Sequence, residues 1–95
     1  MLDRFQARFG AKLAKGQKLF VAYIGAGVPG LDESVQVALE LSRLGVDCIE
    51  FGLPFSDPYG DGSVNQAAAE EGLRQGVTVG VYFELIRKIR AKTDI

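Results

Sequence analysis

Residues 49–62 read Ile49-Glu50-Phe51-Gly52-Leu53-Pro54-Phe55-Ser56-Asp57-Pro58-Tyr59-Gly60-Asp61-Gly62. The stretch sets one carboxylate at the end of an apolar strand, then adds two more in a loop punctuated by proline and glycine. Pro54, Pro58, Gly60 and Gly62 restrict the path of that loop. Fixed loops at strand ends are where chemistry is commonly built.

Working outward, Val46 to Phe51 is predicted as the strand that feeds this loop. Alternation puts Val46, Cys48 and Glu50 on one face and Asp47, Ile49 and Phe51 on the other. Ile49 and Phe51 suit packing against helices, which leaves Glu50 on the opposite face near the strand's carboxyl end. Leu19 to Gly25 is apolar and ends in the breakers Gly25, Gly27, Pro29 and Gly30, so it reads as an earlier buried strand with a loop after it.

Between the two strands, Asp32 and Glu33 open a helix where its dipole favours negative charge. Leu31, Val35, Ala38, Leu41 and Leu44 give that helix an apolar face, and Gly45 caps it. Strand, loop, helix, short turn and strand make a βαβ unit with two parallel neighbours.

Three flanking helices complete the prediction. Leu2, Phe5, Phe9 and Leu13 recur at helical spacing ahead of Gly16. Gln66 to Gln75 is alanine-rich and stops at Gly76. Thr78 caps a last helix lined by Val79, Tyr82, Phe83, Ile86 and Ile89, with Arg87, Lys88, Arg90 and Lys92 in its final turns. At Thr93-Asp94-Ile95 a further strand is expected to begin. Two parallel strands have apolar faces and open edges that call for partners. The chain therefore reads as the opening section of a larger β/α barrel.

Composition narrows the function classes. The 95 residues suffice for one small domain, and 47% apolar and 24% charged residues are ordinary for a globular protein. A formal net charge of −1 gives no reason to expect nucleic acid or an anionic membrane as partner. With no histidine and one cysteine, Cys48, the chain lacks the commonest general base, the commonest metal ligand and any internal disulfide. No metal or cofactor is expected. Asp3, Arg4, Arg8 and Lys12 interrupt any signal-peptide-like apolar run, and a reducing, cytoplasmic setting is the expectation.

In a β/α barrel the active site occupies the carboxyl ends of the strands, where a lumen-facing Glu50 has no purpose in an apolar layer. Partly desolvated by such walls, it is primed for proton transfer; the plainer alternative is a Glu paired with Lys or Arg from a neighbouring strand. Asp57 and Asp61 fit turn positions whose side chains cap backbone N–H groups, and gain interest only from the arrangement with Glu50. Gly25-Ala26-Gly27-Val28-Pro29-Gly30 lacks both the dinucleotide-binding glycine spacing and a P-loop lysine, so a tight βα turn is expected. Tyr23 shares the inward face with Val21, as core filler or as one wall of an aromatic pocket.

The stretch Glu50 to Gly62 closely resembles the signature of the tryptophan synthase alpha subunit family. Tyr23-Ile24-Gly25-Ala26-Gly27-Val28-Pro29, Leu44-Gly45-Val46-Asp47 and Gly76-Val77-Thr78 also fall in that family's order. The resemblance implies an α/β fold, with residues 1–95 the amino-terminal section of an incomplete (β/α)8 TIM barrel: the first two β/α units plus an amino-terminal helix. It implies a lyase of tryptophan biosynthesis that cleaves indole-3-glycerol phosphate to indole and glyceraldehyde 3-phosphate. On that likeness Glu50 matches the catalytic acid/base and Asp61 the acid that hydrogen-bonds the indole N–H. Tyr23 matches an aromatic residue of the indole pocket, and Pro54, Asp57 and Pro58 match loop positions that contact the beta subunit.

Two positions depart from the family: Val28 stands where Asp is usual, and Ser63 follows the Asp-Gly pair where proline is usual. The second change is expected to loosen entry into the next helix. Family members continue through six further β/α units, which hold the phosphate-binding loops. The 95-residue chain alone is therefore expected to turn over little or no substrate. A non-catalytic module that docks on a beta-type subunit or self-associates is the alternative, and a different phosphate-using β/α barrel a third reading.

Overall fold

A computed structural model describes residues 2–56 and 60–95. The element order is α1 (Leu2–Ala14), β1 (Val21–Gly25), α2 (Leu31–Arg43), β2 (Cys48–Gly52), α3 (Ser63–Arg74) and α4 (Val79–Arg90). β1 and β2 pair in parallel with Val21 opposite Cys48, Tyr23 opposite Glu50 and Gly25 opposite Gly52. The βαβ unit is thus present, with both strands shorter than expected at their amino ends.

One face of the pair carries the core. Ile24, Ile49 and Phe51 pack against a buried cluster of Ala26, Val35, Ala38, Val77, Leu85 and Ile89. Taking such side chains out of water is the main favourable term in folding a small domain. Among the described residues no helix covers the other face, and Val21 and Tyr23 on it are 49% and 48% exposed.

Three details differ from the sequence reading. Leu44 lies past the end of α2 as its cap and is exposed, because the chain turns at Gly45 (φ +94°) before a further helical turn can form. On α4 the buried side is Leu85 and Ile89 with Tyr82 and Ile86 beside them, whereas Val79 and Phe83 face solvent. At 100° per residue, replacing 79 and 83 by 85 in the pattern turns the face by roughly 45°. Helix α3 starts at Ser63, three residues ahead of Gln66, with extended Gly62 as its cap and no side-chain cap bond. Ser63 therefore enters the helix directly. The Thr78 cap of α4 is present, its hydroxyl accepting from Val81 N–H at 3.2 Å.

Asp47 is where the sequence reading missed most. Expected beside Ile49 and Phe51 on the helix-packing face, it lies instead just ahead of β2, 3% exposed. Its Oδ2 accepts from Phe20 N–H at 2.8 Å, while Phe20 C=O accepts from the N–H groups of Asp47 (3.0 Å) and Cys48 (3.3 Å). The Oδ1 atom lies 2.6 Å from Lys12 Nζ and 3.8 Å from Arg8 Nε, as an ion pair rather than an aligned hydrogen bond. Arg8 also donates to Val46 C=O at 3.3 Å. One carboxylate thus sets the start of the strand pair and tethers α1 to it.

The Lys12 ammonium, then Phe20 N–H, then the nearby positive charges hold the Asp47 carboxyl below the usual carboxylate range against the opposing effect of burial. A lowered folded-state pKa means stabilisation that is complete above the unfolded value, about 3.9, and is lost as pH falls through the lowered folded value. Asp47→Asn should be less stable than wild type at pH 7 in urea unfolding. The gap between the two should hold down to about pH 4 and then narrow; a gap independent of pH across the acid range would remove the ion pair from this account.

Candidate functional site

The sheet face away from the core brings together two of the sequence-predicted residues, Glu50 and Tyr23. Glu50 is the exposed member of β2, flanked by the half-buried Ile49 and Phe51 that turn toward the helices. It forms no ion pair and no hydrogen bond with any described residue. The Lys or Arg partner weighed in the sequence reading is therefore not used among the described residues. Desolvating walls are also missing there: Glu50 is exposed, contrary to the expectation of partial burial. Those walls require strands facing this pair across a lumen, and two strands do not supply them.

Tyr23 stands directly across from Glu50. Its ring extends over Gly52, so that a Cβ on Gly52 would strike the phenol. Gly52 is the opening that lets an aromatic side chain lie across the strand end. Tyr23 is 48% exposed on this face. Cys48, a half-buried free thiol, precedes Glu50 on the same face.

Asp61 is exposed and lies just ahead of the α3 cap Gly62. Its backbone carbonyl accepts from Gln66 Nε2 at 2.8 Å, and its carboxylate caps no described backbone N–H. Among the described residues the turn-capping role is not used. Pro54 is half-buried; a Cβ on Gly72 would come within 3.2 Å of its Cγ and 2.7 Å of the Ala26 carbonyl oxygen. The loop after β2 thereby rests on α3. Asp57 and Pro58 lie outside the described residues.

The glycine loop after β1 is a tight turn. Ala26 N–H donates to Gly52 C=O at 3.0 Å and Val28 N–H to Gly25 C=O at 3.2 Å. Gly27, at φ +83°, is buried against Val77 and Gly72. Two of the loop's N–H groups are thus already engaged within the fold.

Sequence reasoning assigned no role at the site to Tyr82. Its phenol donates to Phe51 C=O at 2.5 Å and its ring stacks on Phe51, centroids 5.5 Å apart at 25°. Burial, then the neighbouring Tyr23 phenol, pushes the Tyr82 hydroxyl above the ordinary tyrosine value. Among the described residues no group of three His, Cys, Asp or Glu could hold a metal ion, and no helix is long and apolar enough to cross a membrane.

In a β/α barrel the strand face away from the helices lines the lumen, and on this parallel pair that face carries an acid and an aromatic side chain side by side at mid-strand. The family described as tryptophan synthase alpha chain matches residues 9–95. The tryptophan synthase alpha chain of Citrifermentans bemidjiense is 38% identical over 94 residues, covering 99% of this chain and 35% of that one. That of Flavobacterium johnsoniae is 40% identical over 88 residues, covering 93% and 35%. The crystal structure of tryptophan synthase subunit alpha from Legionella pneumophila superposes with a TM-score of 0.90 at 30% identity, over 95% of this chain and 34% of that one. The chain belongs to the tryptophan synthase alpha chain family, and it spans about a third of the length of the relatives it matches. Its fold is α/β, an incomplete (β/α)8 barrel made of the first two β/α units and an amino-terminal helix.

The Gly52 opening is testable. In Gly52→Ala the half-exposed Tyr23 ring can swing into solvent, so stability should fall by less than about 1 kcal/mol. Tyr23 ring resonances should shift toward those of a free tyrosine. Unchanged Tyr23 resonances in the variant would mean that the ring does not lie over residue 52.

Proposed function

We propose that residues 1–95 are the amino-terminal section of a tryptophan synthase alpha-type barrel. Its chemistry is that of a cytoplasmic carbon–carbon lyase in tryptophan biosynthesis: retro-aldol cleavage of indole-3-glycerol phosphate to indole and glyceraldehyde 3-phosphate, with no cofactor. The observation that carries this reading is Glu50 in the middle of β2, opposite Tyr23, on the face away from the core.

The reaction needs a proton delivered to indole C3 and another taken from the glycerol hydroxyl. A glutamate on a rigid strand is suited to shuttle both. Protonation at C3 leaves the ring nitrogen electron-poor, and a carboxylate beside its N–H, the role given to Asp61, stabilises that intermediate. Tyr23 supplies an apolar wall for the indole. Pro54, Asp57 and Pro58 belong to the surface offered to a beta subunit, which takes the indole onward. The 95-residue chain leaves the Glu50 face open to water, so little or no turnover is proposed for it alone.

The direct test is indole release by the complete chain that carries this sequence. Glu50→Gln should lower kcat by about a hundredfold or more, with folding unchanged by circular dichroism. A variant that keeps its activity would remove Glu50 from the mechanism.

A second reading, a docking or self-associating module, draws on the bare sheet face at Val21 and Tyr23 and on the exposed Phe20 and Phe55. Light scattering of the 95-residue chain, alone and with a beta subunit, separates the two. Complex formation is the outcome this reading expects; a clean monomer with no affinity for that subunit excludes it.

A further inference from the structure

Backbone groups in a strand alternate in direction, and in β2 the even-numbered ones serve β1. Cys48 N–H donates to Phe20 C=O and Gly52 C=O accepts from Ala26 N–H. The Phe51 carbonyl therefore turns to the other edge of β2, away from its one strand partner. An unpaired carbonyl there would leave the strand free to shift just where Glu50 projects.

Tyr82 meets that carbonyl. Its hydroxyl donates at 2.5 Å, and its ring lies nearly parallel to that of Phe51 on the core side. Phe83 meets the Tyr82 ring edge-on, with centroids 5.6 Å apart. From the opposite face the Tyr23 ring covers Gly52. Residues 51 and 52 are thus held from both sides, and both follow Glu50 directly. A carbonyl oxygen has two lone pairs, so the phenol and a further strand on that edge are compatible partners.

We infer that Tyr82 is a positioning residue for Glu50: its hydroxyl ties the Phe51 carbonyl and its ring braces the Phe51 side chain, fixing the backbone direction from which the Glu50 carboxylate reaches the substrate. The inference rests on the acid/base role proposed for Glu50. It touches no substrate atom itself, and its effect falls on the chemical step rather than on binding.

The test uses the complete chain carrying this sequence, with indole-3-glycerol phosphate as substrate. Tyr82→Phe keeps the ring stack and removes only the hydroxyl. It should lower kcat about tenfold, since small misplacement of a catalytic group is costly, while KM stays within about twofold and the carbonyl 13C resonance of Phe51 shifts. Tyr82→Leu, which loses the stack as well, should lose more kcat, and restoring an aromatic ring at 82 should recover part of it. Wild-type kcat in Tyr82→Phe, or a change in KM alone, overturns the inference. Glu50→Gln measured alongside separates the two failures. An active Glu50→Gln defeats the reading of Glu50 and this inference with it. An inactive Glu50→Gln beside a fully active Tyr82→Phe defeats the inference alone.

Discussion

A single buried carboxylate fixes how the two strands meet. Asp47 accepts the Phe20 N–H, and Phe20 in turn accepts from Asp47 and Cys48, so the two backbones are clasped just before pairing begins. From that clasp the register runs forward without slack: Val21 meets Cys48, and two residues on Tyr23 meets Glu50. A slip of one residue would send Glu50 into the core and Ile49 and Phe51 into the lumen. Burying an acid among Leu85, Val35 and Ile89 would carry a desolvation penalty that nothing nearby offsets. The register and the burial pattern thus enforce one another.

The same carboxylate ties the amino-terminal helix into the assembly. Arg8 and Lys12 stand one helical turn apart on α1 and converge on Asp47. Both bases are about one-third exposed, so salt weakens their share, whereas the charge-assisted bond from Phe20 N–H to the buried carboxylate is screened far less. The apolar contribution of α1 is modest: Leu13 stays largely open to solvent, Phe5 is 40% exposed, and Phe5 meets Phe9 edge-on at 4.9 Å. Charge rather than apolar burial anchors this helix.

Much of this was legible in the order of residues, and the exceptions have physical causes. Periods of two and 3.6 residues, with glycine at the ends, disclosed every element and placed Glu50 opposite Ile49 and Phe51. Side-chain polarity disclosed the capping Thr78, but not the start of α3, because Gly62 caps with backbone alone and leaves no side-chain signal. Asp47 was misplaced because alternation was extended one residue too far back, into a bend where it no longer applies. The i, i+4 pair Arg8 and Lys12, facing no acid on their own helix, was the available hint of a distant partner. Tyr82 was hidden for another reason. Its role depends on which edge of β2 the Phe51 carbonyl faces, and that follows from the pairing, not from residue type.

The site is best understood as half of a contact surface. Strand geometry presents Glu50 and Tyr23 together, the turn after β1 closes against Gly72 and Val77, and the loop after β2 leans on α3 through Pro54. What would surround the acid and keep water from it lies across a lumen. The most direct check of the register on which all of this stands is a nuclear Overhauser experiment on the isotopically labelled chain. It should connect the Tyr23 ring to the Gly52 α-protons and to the Glu50 methylenes, and the Phe51 ring to Tyr82. Contacts from the Glu50 methylenes to Leu85 or Val35 would contradict it, because they would place the acid on the helix side of the sheet.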